Sequence, residues 1–417
     1  MTMVKWLRRV AVDVTPLRNP DFRRLWIGNG VSHVGYQVTA VAMPVQMYQI
    51  TGSSFWVGLL GIAALIPLLV FALWGGAVAD AADRRRVLLV SSLVVWAATL
   101  GLLVQAVLDV GSPALLLALT AVQSVGFAVS APTRSAIVPR LVSVELLPAA
   151  NTLNFTVSNV GAIGGPLVAG VVLAWWDFAV AYAVDAVLFT VALWAALRLP
   201  PLPPLQEGQV ATGRGLRAVV DGLRYIMGQP VLWLSFAIDI VAMVLAMPRA
   251  LFPEVAVTRF GDEAIAGWLF SAIAIGAVVG GVFSGWIGRV RRQGVALVAA
   301  VVCWGLAISA AWYATSLWLM VVLLAAAGLA DLVSAVYRQT IVLVYAPDEM
   351  RGRLQGVFTA VVAGGPRLGD LRAGTMAVVA SPGIAWAGGG VACAVVAVVL
   401  ALMFPALLRY RPAQTAS

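Results

Sequence analysis

The sequence predicts an all-α membrane protein with twelve transmembrane helices in two pseudo-symmetric six-helix bundles. The first observation is composition: of the 417 residues, 62% are hydrophobic and 11% are charged, and the mean hydropathy is +0.96. A soluble domain of this length needs more charge to cover its surface. The second observation is the one-sided distribution of basic residues, and the third is a sequence repeat between the halves.

Apolar stretches alternate with short polar or Pro/Gly-containing turns along the whole chain. A helix needs about 20 residues to cross the hydrocarbon core of a bilayer, so the chain has room for twelve spans. The predicted spans cover residues 25–49, 56–79, 87–108, 114–138, 152–176, 178–198, 231–257, 265–288, 294–314, 317–344, 354–379 and 383–407.

The stretch between the sixth and seventh spans differs in character from both halves. It opens with four prolines, and arginines then alternate with apolar residues, as in a helix that lies on a membrane surface. We therefore predict an N-terminal bundle with a basic cytoplasmic arm over 1–198, a cytoplasmic linker with an interfacial helix over 199–229, and a C-terminal bundle over 230–417.

Basic residues concentrate on one side of the predicted spans. With the N-terminus inside, all but four of the 27 Lys and Arg residues fall in the arm, the inside turns, the linker or the tail. Loops on the cytoplasmic side carry such an excess, so both termini are expected in the cytoplasm, with the chain in a bacterial plasma (inner) membrane. The net charge of +9 therefore indicates membrane orientation and not nucleic-acid binding. The four exceptions are Arg249, Arg259, Arg367 and Arg372.

The two halves share short sequence patterns at a constant spacing. Arg134-Ser-Ala-Ile137 recurs 204 residues later as Arg338-Gln-Thr-Ile341, and the turn from Gly76 to Arg84 has a counterpart 205 residues later. Repeated halves are typical of alternating-access carriers, because the substrate site lies between two bundles that rock about it.

The turn after the second span reads Gly76-Ala-Val-Ala-Asp80-Ala-Ala-Asp83-Arg84-Arg85-Arg86. It resembles motif A of the major facilitator superfamily, G-x-x-x-D-x-x-G-R-R/K, although Asp83 replaces the usual glycine. The resemblance implies the major facilitator fold. It also implies a latch that holds the halves in the outward-facing state, with Arg134 as a partner for Asp80. The alternative is a basic cytoplasmic loop with no gating role. The implied latch residues are Gly76, Asp80, Asp83, Arg84, Arg85 and Arg134.

Other segments resemble the enterobactin-exporter-like branch of this superfamily, which neighbours drug:proton antiporters. They are Leu17–Trp26, Asp80–Arg86, Met247–Pro253, Pro347–Arg353 and Gly364–Asp370. The resemblance implies proton-driven export of a siderophore or a similar amphipathic molecule by a monomer whose partners are the substrate, protons and the bilayer. The alternatives are a broad multidrug exporter and a non-transporting membrane sensor or lipid-handling protein.

Acidic residues inside the predicted spans are the candidates for proton coupling. A charge at the bilayer centre costs about 3 kcal/mol on insertion scales, so such residues are functional candidates by default. Asp239 and Asp331 lead, and the alternative for each acid is a fixed ion pair or a carboxylate bonded to polar neighbours. Asp370 follows Arg367 by three positions, so a pair on one helix face is expected. The full set is Asp185, Asp239, Asp331 and Asp370.

Tyr36, Gln37 and Arg249 are the candidates for substrate contacts. Tyr36 and Gln37 offer hydrogen bonds to a ligand in a cavity. Arg249 follows Pro248 at a predicted kink, where it either attracts an anionic group or reaches the outer interface. His33 is interpreted as a packed polar residue and not as a proton relay. We expect no enzymatic activity, cofactor or metal, because the sequence has no phosphate-binding loop and no cluster of metal ligands.

Overall fold

The computed structural model describes residues 13–203, 216–347 and 350–410. Within these ranges all the regular secondary structure is helical. The predicted basic arm up to residue 12, most of the polar linker (204–215), Glu349 and the tail after residue 410 lie outside the described residues. The side chains of residues 72–81, including those of Gly76 and Asp80, also lie outside the described part.

The first helix set comprises α1 (Pro20–Thr51), α2 (Ser54–Ala81), α3 (Arg84–Val107), α4 (Pro113–Leu141), α5 (Leu147–Trp175) and α6 (Phe178–Leu197). In the linker, α7 (Leu216–Gly228) follows. The second helix set comprises α8 (Pro230–Ala246), α9 (Phe252–Phe260), α10 (Ile265–Val282), α11 (Gln293–Trp312), α12 (Leu317–Tyr345), α13 (Arg351–Val379) and α14 (Gly389–Met403).

Local sequence signals explain where several helices begin and end. Asn19 caps α1 by accepting hydrogen bonds from the Asp21 and Phe22 amides, and Gly52 ends it in the left-handed conformation at φ 60°. A side chain that accepts from the first free amides replaces the partners that a helix start lacks. Glycine adopts the left-handed conformation without a steric penalty.

Every predicted span coincides with a helical stretch, and the all-α membrane fold is confirmed. Ten helical segments within the described ranges are long and apolar enough to cross a membrane. The other two predicted spans correspond to α1 and α13, which have 32 and 29 residues but carry more polar side chains. The seventh span is interrupted, since α8 ends at Ala246 and α9 begins at Phe252.

The pairings within the first helix set recur in the second. In the first set, α1 packs on α5 and α6, α2 packs on α4, and α3 packs on α4 and α6. In the second set, α8 packs on α13 and α14, α10 packs on α12, and α11 packs on α12 and α14. The two sets are therefore pseudo-symmetric, as the sequence repeat predicts.

The helices have one end rich in arginine, which we call the arginine-rich end. There the Asn19 side chain donates to the Leu141 carbonyl at 2.6 Å, and the Arg84 amide donates to the Leu202 carbonyl at 3.0 Å. These contacts bring together the start of α1, the turn between α2 and α3, the end of α4 and the segment after α6.

The two sets meet at the opposite end, which we call the closed end. A Cβ atom added to Gly58 of α2 would lie 2.7 Å from the Asp370 carbonyl oxygen of α13. On the other side, a Cβ atom on Gly170 of α5 would lie 2.7 Å from the carbonyl oxygen of Ala264, just before α10. Glycine allows helices to approach this closely in a membrane. Ser54 adds a polar contact between the sets by donating to Glu254.

Buried apolar side chains show the same asymmetry between the two ends. One large cluster runs through the second set and continues into Val57 and Leu60 of α2 and Ala169 of α5 near the closed end. A smaller cluster at the arginine-rich end, around Phe22 and Leu88, draws its members from the first set and the segment that follows it. The hydrophobic core therefore joins the two sets near the closed end.

The structure corrects the position of two arginines. Arg134 and Arg338 fall near the ends of predicted spans and were counted with the inside turns, but α4 continues to Leu141 and α12 to Tyr345, so both arginines lie within helices. Each finds a polar partner on another helix, which offsets the cost of placing a charge there.

Candidate functional site

A cavity of about 340 Å³ lies between the two helix sets. Its volume is within the usual range for small-molecule sites. The first set contributes α1, α2 and α4, and the second contributes the break between α8 and α9, α10 and α13. The polar lining residues are Tyr36, Thr39, Thr120, Gln123, Ser124, Arg249, Arg367 and Asp370.

The α1 side of the cavity is built around Tyr36, one of the predicted contact residues. Its ring stacks on Phe127 of α4, with centroids 5.6 Å apart. The next residue, Gln37, packs against Gly165 of α5 and is not among the lining residues. His33 lies one turn away and packs on Gly161 of α5. Because of their spacing along the helix, Tyr36 faces the cavity, whereas His33 and Gln37 face α5.

The break between α8 and α9 is stabilised by Arg372 of α13. Within a helix, the Val244 carbonyl would accept from the amide of residue 248, but Pro248 has no N–H. Arg372 supplies the missing donors, because its Nε donates to the Val244 carbonyl at 3.1 Å and one Nη donates to the Leu245 carbonyl. Its other Nη donates to the Ala385 carbonyl at 2.9 Å. The predicted kink is therefore a full interruption with its own cationic cap.

Arg249 begins the 3-10 turn that follows this break and faces the cavity. Its side chain interacts electrostatically with Asp331 of α12 and Asp370 of α13. Its Nε is buried and has no hydrogen-bond partner among the described residues. Of the two predicted positions for this arginine, the structure shows the one in the cavity wall.

Asp370 and Arg367 lie on the cavity face of α13, as their spacing predicts. The Asp370 carboxylate lies near the Ala250 amide, which favours its negative charge, and it interacts electrostatically with Arg249 and Arg367. Arg367 donates to the Ala363 carbonyl at 2.8 Å. The described ion pairs closer than 4 Å include neither arginine, so Asp370 attracts both without a direct contact.

Asp239 forms an ion pair with Arg338, and both residues are almost fully buried, at 1% and 5% exposed. Arg338 also interacts electrostatically with Asp331, which is half-buried about two turns earlier on the same face of α12. The charges therefore alternate along one path from the interior of the second set to the cavity. The path is Asp239, Arg338, Asp331, Arg249, Asp370 and Arg367.

The Asp239–Arg338 pair has a counterpart in the first set. Arg134 of α4 donates to the Asn29 side chain of α1, and the helices α1 and α4 correspond to α8 and α12. Arg134 also borders a second cavity of about 200 Å³ with Trp26 and Asn154 at the arginine-rich end. A polar clamp thus joins equivalent helices in both sets, with an ion pair in one and a neutral acceptor in the other.

Asp185 of α6 is buried within the first set, at 1% exposed. Its Oδ2 accepts from the Thr39 hydroxyl at 2.7 Å and from the Thr99 hydroxyl at 3.5 Å, and Gln123 donates to the Thr99 hydroxyl at 3.1 Å. Its Oδ1 has no partner within the described ranges. Because Thr39 and Gln123 line the cavity, this acid is connected to the cavity wall through hydrogen bonds.

The predicted latch turn makes contacts within the first set. The Asp83 side chain accepts from the Arg85 amide at 2.8 Å and from the Leu202 amide at 3.2 Å. Arg84 donates to the Ala136 carbonyl of α4, and Arg85 donates to the Leu197 carbonyl at the end of α6. Asp83 thus caps α3, which explains how an aspartate serves where motif A has glycine.

Sequence reasoning missed three contributors to this site. Arg338 was counted with the inside turns, and Arg372 was noted only as an exception to the inside bias, whereas each has a defined partner in another helix. Thr39 was not singled out, because a threonine in an apolar helix is unremarkable until its partner is known. The repeat of Arg134 at Arg338 was a usable signal, since it places two arginines at equivalent depths.

A family model described as transmembrane secretion effector matches residues 11–417. The chain belongs to this family. As a member of the major facilitator superfamily, this secretion effector is a membrane transporter and not an enzyme. The predicted resemblance to the enterobactin-exporter-like branch is confirmed.

Similar proteins include two enterobactin exporters named EntS. The protein from Citrobacter koseri is 27% identical over 418 residues, which cover 99% of this chain and 97% of that protein. The protein from Escherichia coli O1:K1 / APEC is 27% identical over 427 residues, which cover 100% of both chains.

Similar solved structures show the same fold. The nucleoside transporter NupG has a TM-score of 0.72 at 14% identity and covers 94% of this secretion effector and 100% of that chain. A bacterial homologue of the iron transporter ferroportin, in an inward-facing state, has a TM-score of 0.70 at 15% identity and covers 94% of this transporter and 99% of that chain.

Proposed function

We propose that this transporter is a secondary exporter of a siderophore-like or similar amphipathic small molecule, and that it works by alternating access with proton antiport. The observation that carries the proposal is the cavity between two pseudo-symmetric helix sets that meet at one end. Such a cavity is exposed to alternate sides when the sets rock about it. The names of the full-length relatives support a siderophore as the substrate.

The arginine-rich end is proposed to face the cytoplasm, with both termini on that side. The closed end is then the outer end, and the structure corresponds to an inward-facing state. The rocking units are residues 1–198 and 230–417, joined by the linker 199–229. The contacts of Asp83, Arg84 and Arg85 within the first set are consistent with a latch that engages only in the opposite state.

Among the acids, Asp185 is our leading candidate for the proton. It is buried without a cation among its described partners, so protonation removes the cost of burying its charge. Its hydrogen bonds reach Thr39 and Gln123 on the cavity wall. Gain or loss of a proton would therefore reorient groups that contact substrate. Asp331 and Asp370 follow, because each faces arginines.

Asp239 is placed last, although the sequence favoured it. Its carboxylate is held by Arg338 in a buried ion pair, and the equivalent clamp in the first set uses the neutral Asn29. Asn29, which does not carry an ionisable proton, fills this position in the first set. The equivalent position in the second set therefore has a structural role that does not require a proton.

The proposed function is tested by the fate of the secreted product. A deletion strain grown under iron limitation should accumulate its siderophore inside the cell, and plasmid-borne protein should restore secretion. The purified protein in liposomes should then move that compound faster than empty liposomes when a pH gradient is imposed. Normal secretion by the deletion strain, together with transport no faster than in empty liposomes, would overturn the proposal.

A broad multidrug exporter is the second candidate, and the apolar part of the cavity wall favours it. Met43, Leu60 and Phe270 are among the lining residues, and such side chains accept unrelated lipophilic molecules. A susceptibility panel separates the two candidates, because a multidrug exporter protects cells against several unrelated compounds.

A further inference from the structure

The charges that line the cavity are unequal in number. Two arginines, Arg249 and Arg367, face it together with one acid, Asp370. No Asp or Glu contributed by the first set is among the lining residues, since α1, α2 and α4 present hydroxyl, amide, aromatic and apolar groups there. The charged wall therefore belongs to the second set and carries one more positive charge than negative.

The alternating path described above ends at this wall. Asp239 pairs with Arg338, Asp331 lies between Arg338 and Arg249, and Asp370 lies between Arg249 and Arg367. Each interior charge of the path has neighbours of opposite sign on both sides. Arg367 is the last member, and its described side-chain hydrogen bond goes to the Ala363 carbonyl of its own helix. The path therefore ends with a positive charge at the cavity.

The polar groups on this wall retain free hydrogen-bonding capacity. Arg249 Nε is a buried donor without a partner in the part of the chain that the structure describes. Buried polar groups are normally satisfied, so an unpartnered donor beside a cavity points to a ligand that accepts hydrogen bonds. A guanidinium donates to a planar anionic group through several N–H bonds at once, which favours carboxylate and similar oxyanions.

Asp370 lies where its negative charge repels such a ligand. Its carboxylate lies near the Ala250 amide, in the 3-10 turn that carries Arg249. From that place it attracts both arginines and repels any second anion near them.

We infer that Arg249 and Arg367 form a binding site for the anionic group of an aromatic organic acid, and that Asp370 is a built-in competitor that lowers the affinity of this site. The ring of the ligand lies toward Tyr36 and Phe270 on the same cavity wall. The inference deepens the proposed function, because it names the chemical class that the proposed export cavity takes, and it rests on that function only for its physiological meaning.

If Asp370 is a competitor, substitutions of neighbouring residues should change the affinity for an anionic ligand in opposite directions. Arg249→Gln and Arg367→Gln should each weaken binding of an anionic ligand, whereas Asp370→Asn should strengthen it. Removal of a unit charge a few ångströms from the ligand, at an effective dielectric constant between about 20 and 80, corresponds to roughly a tenfold change in affinity or more. Asn at position 370 keeps the size of the side chain, so the turn should keep its shape.

A pair of ligands that differ only in charge provides the test. The fluorescent acid 1-hydroxy-2-naphthoate and its uncharged amide, 1-hydroxy-2-naphthamide, are titrated against the purified full-length protein in lipid nanodiscs. The native protein should bind the acid more tightly than the amide. Asp370→Asn should raise affinity for the acid roughly tenfold and leave that for the amide unchanged. Asp177→Asn removes an exposed acid at the N-terminus of α6 and serves as the matched control.

The outcomes separate this inference from the proposed function. Equal affinity for the acid in the native protein and in Asp370→Asn overturns the competitor role, and so does equal binding of the acid and the amide. If neither the acid nor the amide binds, the aromatic-acid site is overturned. Each of these binding measurements is independent of transport. Failure of the siderophore secretion assays therefore does not change the binding result, and normal secretion does not support the inference if the binding measurements contradict it.

Discussion

Gly58 of α2 packs directly against the backbone carbonyl of Asp370 of α13. A Cβ atom on this glycine would lie 2.7 Å from that oxygen and 3.0 Å from the Leu371 Cα. One close approach of the two helix sets is therefore made at the residue whose side chain faces the cavity. Contact between the sets at the closed end and the arrangement of charged groups in the cavity involve the same turn of α13.

A larger residue at position 58 should hold the closed end open. Gly58→Val places side-chain atoms where the α13 backbone lies, so the helices must separate by a few tenths of an ångström or more. Spin labels at positions 53 and 380, near the closed ends of α2 and α13, should report a longer distance by pulsed electron resonance. The labels require a background without Cys303 and Cys393.

Gly164→Ala is the matched control for this experiment, because a Cβ atom at that position meets nothing within 4 Å. A distance distribution in Gly58→Val that matches both the control and the native protein would show that the glycine contact does not set the closed state.

The ion pair between Asp239 and Arg338 should be structural. Asp239→Leu or Arg338→Met alone leaves a buried charge unpaired, which typically costs about 3–5 kcal/mol of stability. The double variant replaces both charges with apolar groups and should recover most of that loss. Thermal unfolding of the purified variants in detergent measures the effect. If Asp239→Asn keeps native stability but abolishes uphill transport, Asp239 carries the proton and its last place among the acids is wrong.

Asp185→Asn should uncouple transport from the pH gradient. The asparagine carbonyl still accepts from the Thr39 hydroxyl, so the hydrogen bond in the first set is kept while the proton site is lost. Gradient-driven accumulation in liposomes should fall at least roughly tenfold, and exchange of labelled for unlabelled substrate without a gradient should persist. Asp177→Asn is the control for an exposed acid. Undiminished accumulation in Asp185→Asn removes this residue from the coupling mechanism.

Arg372→Met should destabilise the break between α8 and α9. Each buried carbonyl that loses its donor typically costs about 1–3 kcal/mol, and Val244, Leu245 and Ala385 are affected together. Pro248→Ala restores an amide at the position that the Val244 carbonyl would use in a continuous helix. The variant Arg372→Met/Pro248→Ala should therefore melt at a higher temperature than Arg372→Met. No such recovery would mean that Arg372 does not act through these carbonyls.

The fold was predictable because its signals are local. Apolar runs of about 20 residues, turn residues between them and the side on which arginines fall are all read within short windows of sequence. Even the interruption of the seventh span was visible as Pro248. Short windows did not show that Arg134 and Arg338 belong to helix interiors, because they reveal the side on which a charge falls but not its partner.

The site was predictable only in part because its contacts join distant residues. Tyr36, Gln37 and Arg249 were expected near a ligand; Tyr36 and Arg249 line one cavity, whereas Gln37 packs against α5. The partner of Asp239 is 99 residues away, and that of Asp185 is 146 residues away, so composition and spacing do not reveal which acid is paired. Pairing decides the role of each acid, and it is a property of helix packing.

The cap that Arg372 places on the end of α8 also has a consequence for biogenesis. Leu245 and Arg372 are 127 residues apart, and a membrane chain emerges from the ribosome in order, N-terminus first. When α8 enters the bilayer, the donor for its last carbonyls has not yet been translated, and hydrocarbon offers no substitute. The nascent second bundle therefore stays incomplete at this point until α13 has left the translocon. Chains truncated before residue 372 should be substrates for membrane quality control even when all earlier helices are present.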